Sequence, residues 1–199
     1  MKGKQKRHKP APITALRIAT PPRSRLDPDM RRYFEVCEEK IGHVPNVLLA
    51  YSAHGPKLRN MANFYNELML GDSPLSKLER EMIAVVVSSA NHCYYCLVAH
   101  GAAVRCMAMD PALGEQLACN YRSATLSARQ RAMLDFAHRL TVSPDQVGEE
   151  DRTRLRRAGF SEEAIWDIAE VAAFFNFSNR LATATDMQPN ECYHSQCRK

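Results

Sequence analysis

Apolar positions recur at helical spacing along most of this chain. Leu58, Met61, Ala62, Tyr65, Leu68 and Met69 form one such stripe. It lies between Pro56, which suits a first helical turn, and Gly71, which suits a helix end. Upstream, "DPDMRRYFEVCEEKIG" reads as a helix that starts at Asp27-Pro28 and stops at Gly42, and "HVPNVLLAYSAHG" as a short apolar element. The next segment, "DSPLSKLEREMIAVVVSSA", carries two conflicting signals. Val85-Val86-Val87 favours a strand by propensity. Ser76 with Glu79 three residues later forms a capping-box pattern behind Pro74, and Lys77 to Ala90 is long for a strand, so a helix is expected. A second helix should then run from about Cys93 to Ala108 and stop at Asp110-Pro111. Ser127 with Gln130 repeats the capping pattern, and "LSARQRAML" echoes "LSKLEREMI" without the cysteines that follow the first copy. "DQVGEEDRTRLRRAGF" reads as a short amphipathic helix ending at Gly159. Ser161 then caps a helix that is apolar around much of its circumference and should be buried. There is no hairpin signal and no glycine-rich phosphate loop, so the fold class is all-α. Three regions follow: a basic, Pro-rich lead-in over 1–25, a helical domain over 26–187, and a polar tail over 188–199.

Composition alters this picture little. The 199 residues can build one sizeable core, and 45% hydrophobic with 25% charged residues is ordinary for a globular protein. The formal charge of +5 is local, because residues 1–10 hold five Lys/Arg and no acid, which leaves 22 basic against 22 acidic residues elsewhere. A basic run of this kind can bind nucleic acid or anionic lipid, but without aromatic or motif-like company it reads as a solvated, frayed end. No stretch approaches a membrane span, and no apolar segment of a secretory signal follows the basic start. Seven cysteines is an odd count that argues against a disulfide framework and for a reducing, cytoplasmic setting.

In such a setting the stretch "NHCYYCLVAH" stands out. It can be read as a metal clamp, a redox pair, or two core thiols near a histidine. On a helix Cys93, Cys96 and His100 share one ~60° sector. The pair lies at a helix start, where the macrodipole and free N–H groups favour a thiolate, and His100 is one turn beyond Cys96. Glu81 lies as far before Ala90-Asn91 as His100 lies after it. A straight helix would separate them by ~28 Å, so a Glu81–His100–Cys96 relay needs a break between Ser88 and His92. Asn91-His92 suits one. For zinc, His92, Cys93, Cys96 and His100 could supply four ligands, but His92 adjoins Cys93 and no second ligand pair follows. Cys192, His194 and Cys197 read as part of a frayed polar end, Cys37, Cys106 and Cys119 as core thiols, and His43, His54 and His138 as solitary histidines. A thioredoxin-like reading fits the C-x-x-C but not the helical flanks.

Glu81, "CYYC" and His100 together resemble the E…C-x-x-C-x-x-x-H motif of AhpD-like alkylhydroperoxidases in the carboxymuconolactone decarboxylase superfamily. "GHVPNVLLA", "LSKLEREMIAVVVSSANHCYYCLVAHGAAVR", "LSARQRAMLDFAHRLT" and "FFNFSNRLA" are similar to the subgroup of peroxidase-related enzymes, over roughly residues 25–187. The resemblance implies an AhpD-like helical bundle with a CxxC-bearing helical hairpin, assembled as a homo-oligomer. It implies a thiol peroxidase that reduces organic hydroperoxides or hydrogen peroxide. Cys96 would attack and become a sulfenic acid, Cys93 would resolve it to a disulfide, and Glu81 and His100 would relay protons. No cofactor or metal is implied. Electrons would come from an external dithiol, dihydrolipoamide- or thioredoxin-like, and neither membrane nor nucleic acid is an expected partner. One departure is Tyr95, at the place where AhpD has a histidine; a phenol cannot replace imidazole as a base at neutral pH but can donate a hydrogen bond. The alternative is a disulfide reductase or redox sensor that uses the same pair without peroxidase activity. A third reading is an interaction protein on the same fold. The decarboxylase branch lacks the C-x-x-C pair.

Overall fold

The computed structural model describes residues 12–198, so the basic run over 1–10 lies outside the described residues. Nine α-helices and four short 3-10 turns make up the regular structure, with no strand among the described residues. The helices are α1 (Pro28–Ile41), α2 (Asn46–Tyr51), α3 (Gly55–Leu70), α4 (Lys77–Ala90), α5 (Tyr94–Ala108), α6 (Pro111–Asn120), α7 (Ala128–Val142), α8 (Glu149–Arg157) and α9 (Glu162–Ala184).

Helix α4 is the centre of the molecule. Every residue from Arg80 to Ser88 is buried, and α5, α6, α7 and α9 pack around it. The conflict over Val85-Val86-Val87 resolves in favour of helix for two physical reasons. The Ser76–Glu79 capping box is formed in both directions, which supplies partners to the first N–H groups. The three valines are also 0–1% exposed, so burial against surrounding helices outweighs their weak strand preference. Buried Arg80 is partly compensated, since its Nη1 donates to the carbonyls of Leu68 at 3.0 Å and Gly71 at 2.9 Å around the end of α3 while its Nε has no partner. A smaller core forms between α1, α2 and α3 from Met30, Phe34, Val44, Leu48, Leu58 and Ala62.

The break between α4 and α5 falls at the expected place. The N–H of His92 bonds the carbonyl of Ser89 at 3.1 Å and that of Cys93 bonds Ser88 at 3.0 Å, with His92 in the left-handed conformation at φ 54°. This is a Schellman ending without glycine. It turns the chain sharply enough that Cys93 becomes the N-cap of α5, so α4 and α5 run back along each other.

Four expectations are corrected. Cys106 is not a free core thiol: it is bonded to Cys197, although the odd cysteine count had argued against disulfides. Cys119 is exposed rather than buried in the core. The C-terminal residues do not fray. Gln188 to Arg198 lie against α2 and α5, and His43, expected to be solitary, sits 3.4 Å from the Cys192 sulfur and edge-on to Tyr193. Asp110-Pro111 ends one helix as expected, but it also starts α6, because the Asp110 carboxylate accepts the N–H of Ala112 at 2.9 Å.

Candidate active site

Cys93 and Cys96 are both free thiols, each 1% exposed, and pack with Tyr95, Ala182 and Met187. Their placement follows from the turn: one caps α5 and the other lies in its first turn, where unpaired N–H groups accumulate positive potential. The two sulfurs titrate as a pair. The Cys93 thiol is lowered to about 6, mainly by the Cys96 thiol beside it and further by the Cys96 backbone N–H, the Thr183 hydroxyl and the charge of His100, all against the opposing effect of burial. Cys96 is pushed well above the usual thiol range by Cys93 and by burial, against the pull of Asn179 and Ser178. The two shifts run in opposite directions and favour the thiolate on Cys93 over one on Cys96.

Glu81 and His100 meet as their spacing about the turn required. Nδ1 of His100 lies 2.6 Å from Oε2 of Glu81, with side chains 12% and 6% exposed. The Phe175 ring packs edge-on against the imidazole at 4.6 Å. A proton on Nδ1 shared with the carboxylate leaves Nε2 free to exchange protons. The oriented ring and its dry surroundings suit proton transfer to a reacting group.

Tyr95 faces elsewhere. Its buried phenol oxygen accepts the N–H of Val47 at 3.1 Å, the second residue of α2, and burial pushes its pKa well up. It supplies an acceptor to a helix end rather than a base to the dithiol.

An amide network was not visible from the cysteine motif. Asn91 Nδ2 donates to Asn176 and Asn179, both at 3.0 Å, and Asn179 Nδ2 donates to the Ser88 hydroxyl at 3.0 Å. It fixes the α4–α5 turn to α9 and brings Asn179 beside Cys96. The hint in the sequence is two asparagines, Asn176 and Asn179, one turn apart in a helix that is apolar around much of its circumference, since buried amides demand partners.

Beside the dithiol lies an apolar cleft of about 1330 Å³, lined among others by Leu49, Met61, Phe64, Phe174 and Phe177. Ala50 and Met187 belong both to its wall and to the packing around Cys93 and Cys96. Among the described residues, no group of three or more His, Cys, Asp or Glu side chains could hold a metal ion, and no helix is long and apolar enough to cross a membrane.

An all-helical chain with a dithiol at the start of one arm of an antiparallel helix pair, and a Glu–His contact across that pair, defines an AhpD-type protein. The chain belongs to the AhpD-like part of the carboxymuconolactone decarboxylase superfamily. The sequence model of the carboxymuconolactone decarboxylase family matches residues 56–139. An uncharacterized peroxidase-related protein from Silicibacter sp. TM1040 is similar in structure, with TM-score 0.91 and 56% identity over 96% of this chain and 98% of the other. An alkylhydroperoxidase AhpD core from Ralstonia eutropha JMP134, an uncharacterized peroxidase-related protein, matches with TM-score 0.91 and 41% identity over 95% and 98%. The debrominase Bmp8 shares the fold, with TM-score 0.76 and 22% identity over 90% and 95%. No curated protein matches the chain.

Proposed function

We propose that the protein is a thiol-dependent peroxidase that reduces organic hydroperoxides or hydrogen peroxide through a Cys93/Cys96 dithiol–disulfide cycle. The observation that carries this reading is a buried pair of free thiols at the start of the helix that also carries His100, whose imidazole Glu81 holds at 2.6 Å. Cys96 passes its proton to the Cys93 thiolate and attacks the terminal peroxide oxygen. The O–O bond breaks, Cys96 becomes a sulfenic acid, and the departing alkoxide takes a proton through His100. The Cys93 thiol then displaces water from the sulfenic acid, which forms the Cys93–Cys96 disulfide. An external dithiol, dihydrolipoamide- or thioredoxin-like, returns two electrons and restores both thiols. No metal or cofactor takes part. The apolar cleft that shares Ala50 and Met187 with the dithiol supports organic hydroperoxides over hydrogen peroxide, and exposed Leu16, Ile18, Phe64 and Phe177 at that cleft support a homo-oligomer.

The test is peroxide turnover with dihydrolipoamide. Cys96→Ser should abolish it, and full activity in that variant would end the assignment. One observation favours the second reading, a disulfide reductase or redox sensor: a thiol near pKa 6 at a helix N-cap suits exchange with disulfides. That reading holds if the pair cycles with thiols while peroxide reacts no faster than with free cysteine.

A further inference from the structure

The C-terminal segment is a strap tied down by one covalent bond and a few hydrogen bonds that lead back to the dithiol. Cys197 is joined to Cys106 near the end of α5. Buried Arg105 beside it donates from Nε to the Gln196 carbonyl at 3.2 Å and from Nη2 to the Tyr193 carbonyl at 2.8 Å. Farther back, the Asn190 side chain accepts the N–H of Asn46 at 2.8 Å and donates to the Val44 carbonyl at 3.0 Å. Asn46 Nδ2 donates in turn to the Gln188 carbonyl at 2.8 Å. The next residue of α2 is Val47, whose N–H is the one held by Tyr95. The strap and the Cys-x-x-Cys segment therefore hold two successive N–H groups of the same helix end. Val47 also packs against the cluster that contains both sulfurs. Val47 and Ala50 make α2 part of the cover over the dithiol, and the strap holds the same helix end from outside.

We propose that the Cys106–Cys197 disulfide is a second redox site of this protein, a latch that an external dithiol opens to release the strap and expose Cys93 and Cys96. Cys197 is exposed and Cys106 half-buried, so the thiolate of the dithiol attacks the Cys197 sulfur. The S–S bond breaks, a mixed disulfide forms on Cys197, and Cys106 leaves as thiolate. The second thiol of the donor then closes the donor's own disulfide and frees Cys197 as thiolate, so two electrons pass to the protein. The oxidised donor reverses both steps. With the bond open, the strap is held only by hydrogen bonds, the Arg198–Glu115 ion pair and the packing of Tyr193 on His43, and opens as a local unit.

The full-length protein is equilibrated without denaturant at a series of ratios of reduced to oxidised dithiothreitol and then pulsed with N-ethylmaleimide. Peptide mass mapping reads the redox state of the Cys106–Cys197 bond and the labelling rate constant of the reduced Cys93/Cys96 pair. The rate constant should rise with the open fraction of the latch, by at least ~10-fold from closed to open. The Cys106→Ser/Cys197→Ser double variant should show the fast rate at every ratio. Asn190→Ala keeps the disulfide and loosens only the strap–α2 link, so it too should label faster. The proposal fails if the bond resists excess dithiothreitol in the native protein. It also fails if Asn190→Ala labels at the wild-type rate, or if the double variant does. Peroxide turnover is not a readout, so loss of the peroxidase reading leaves this test intact.

Discussion

Nδ1 of His100 lies 2.6 Å from Oε2 of Glu81 although 19 positions separate the two residues. The contact exists because the Schellman turn at His92 folds α5 back along α4, and it is nearly sealed from solvent. If the pair acts as one proton-transfer unit, Glu81→Gln and His100→Gln should each lower kcat/KM for peroxide by about 10²-fold. The double variant should lose little more than either single one, because removing a partner already disables the unit. Additive losses in steady-state assays with dihydrolipoamide would show that the residues act separately.

Cys93 and Cys96 share one charge, and its location sets a pH signature. Alkylation of Cys93 should rise through a midpoint at about pH 6, where an ordinary thiol stays protonated. Because the Cys96 thiol is the largest cause of the lowering, Cys96→Ala should move that midpoint upward. Linkage fixes the sign for stability. A thiol whose folded pKa lies below its unfolded value stabilises the fold above the unfolded pKa, and that stabilisation is lost as pH falls through the folded one. The reduced protein should therefore lose this contribution between about pH 9 and pH 6 on acidification, and Cys93→Ser should remove that part of the pH dependence from urea melts.

Asn179 is 1% exposed and joins Ser88, Asn91 and the surroundings of Cys96. Asn179→Leu takes the partner from the buried Ser88 hydroxyl while Asn91 keeps Asn176, at a cost of about 1–3 kcal/mol. The expected outcome is a lower urea midpoint at unchanged slope, together with slower peroxide turnover. Turnover that survives the loss of stability would confine Asn179 to a packing role.

Much of this arrangement was legible in the sequence because local signals and global packing agree. The Ser76–Glu79 box and the Asn91-His92 turn fix both ends of α4, and equal spacing about that turn brings Glu81 to His100. Other features have no local signature. The Cys106–Cys197 bond joins positions 91 apart, and seven cysteines cannot be paired by counting. Asp110-Pro111 reads as a stop, and only the Asp110 cap reveals that it also begins α6. The lowering of the Cys93 thiol is only partly local, since after the Cys96 thiol beside it the causes include Thr183 reaching in from α9.

The Cys106–Cys197 bond also bears on global stability. It closes a long stretch of chain, and removing such a constraint from the unfolded state typically costs about 2–5 kcal/mol. Cys106→Ser/Cys197→Ser should lower the denaturation midpoint accordingly. The same shift should appear in the wild type under a reductant strong enough to open the bond. A midpoint insensitive to both would mean that the strap unfolds independently of the helical body.

Tyr95 separates structure from chemistry between the two cysteines. Its oxygen holds the Val47 N–H, so Tyr95→Phe removes one acceptor from a buried helix end and should cost about 1 kcal/mol. The phenol is directed at α2 and burial holds it neutral far above physiological pH, so it cannot exchange protons with peroxide there. Peroxide turnover in Tyr95→Phe should therefore stay within roughly threefold of wild type, a change below ~1 kcal/mol in the barrier. Tyr95→His is the sharper comparison. An imidazole at this place is shorter than the phenol and loses the Val47 contact, yet it brings a group that titrates near neutrality to the position between the two cysteines. If turnover rises while the urea midpoint falls, the tyrosine in this chain trades catalytic efficiency for a firmly held α2. If both fall together, the phenol's bond to Val47 is what keeps the dithiol in its reactive geometry.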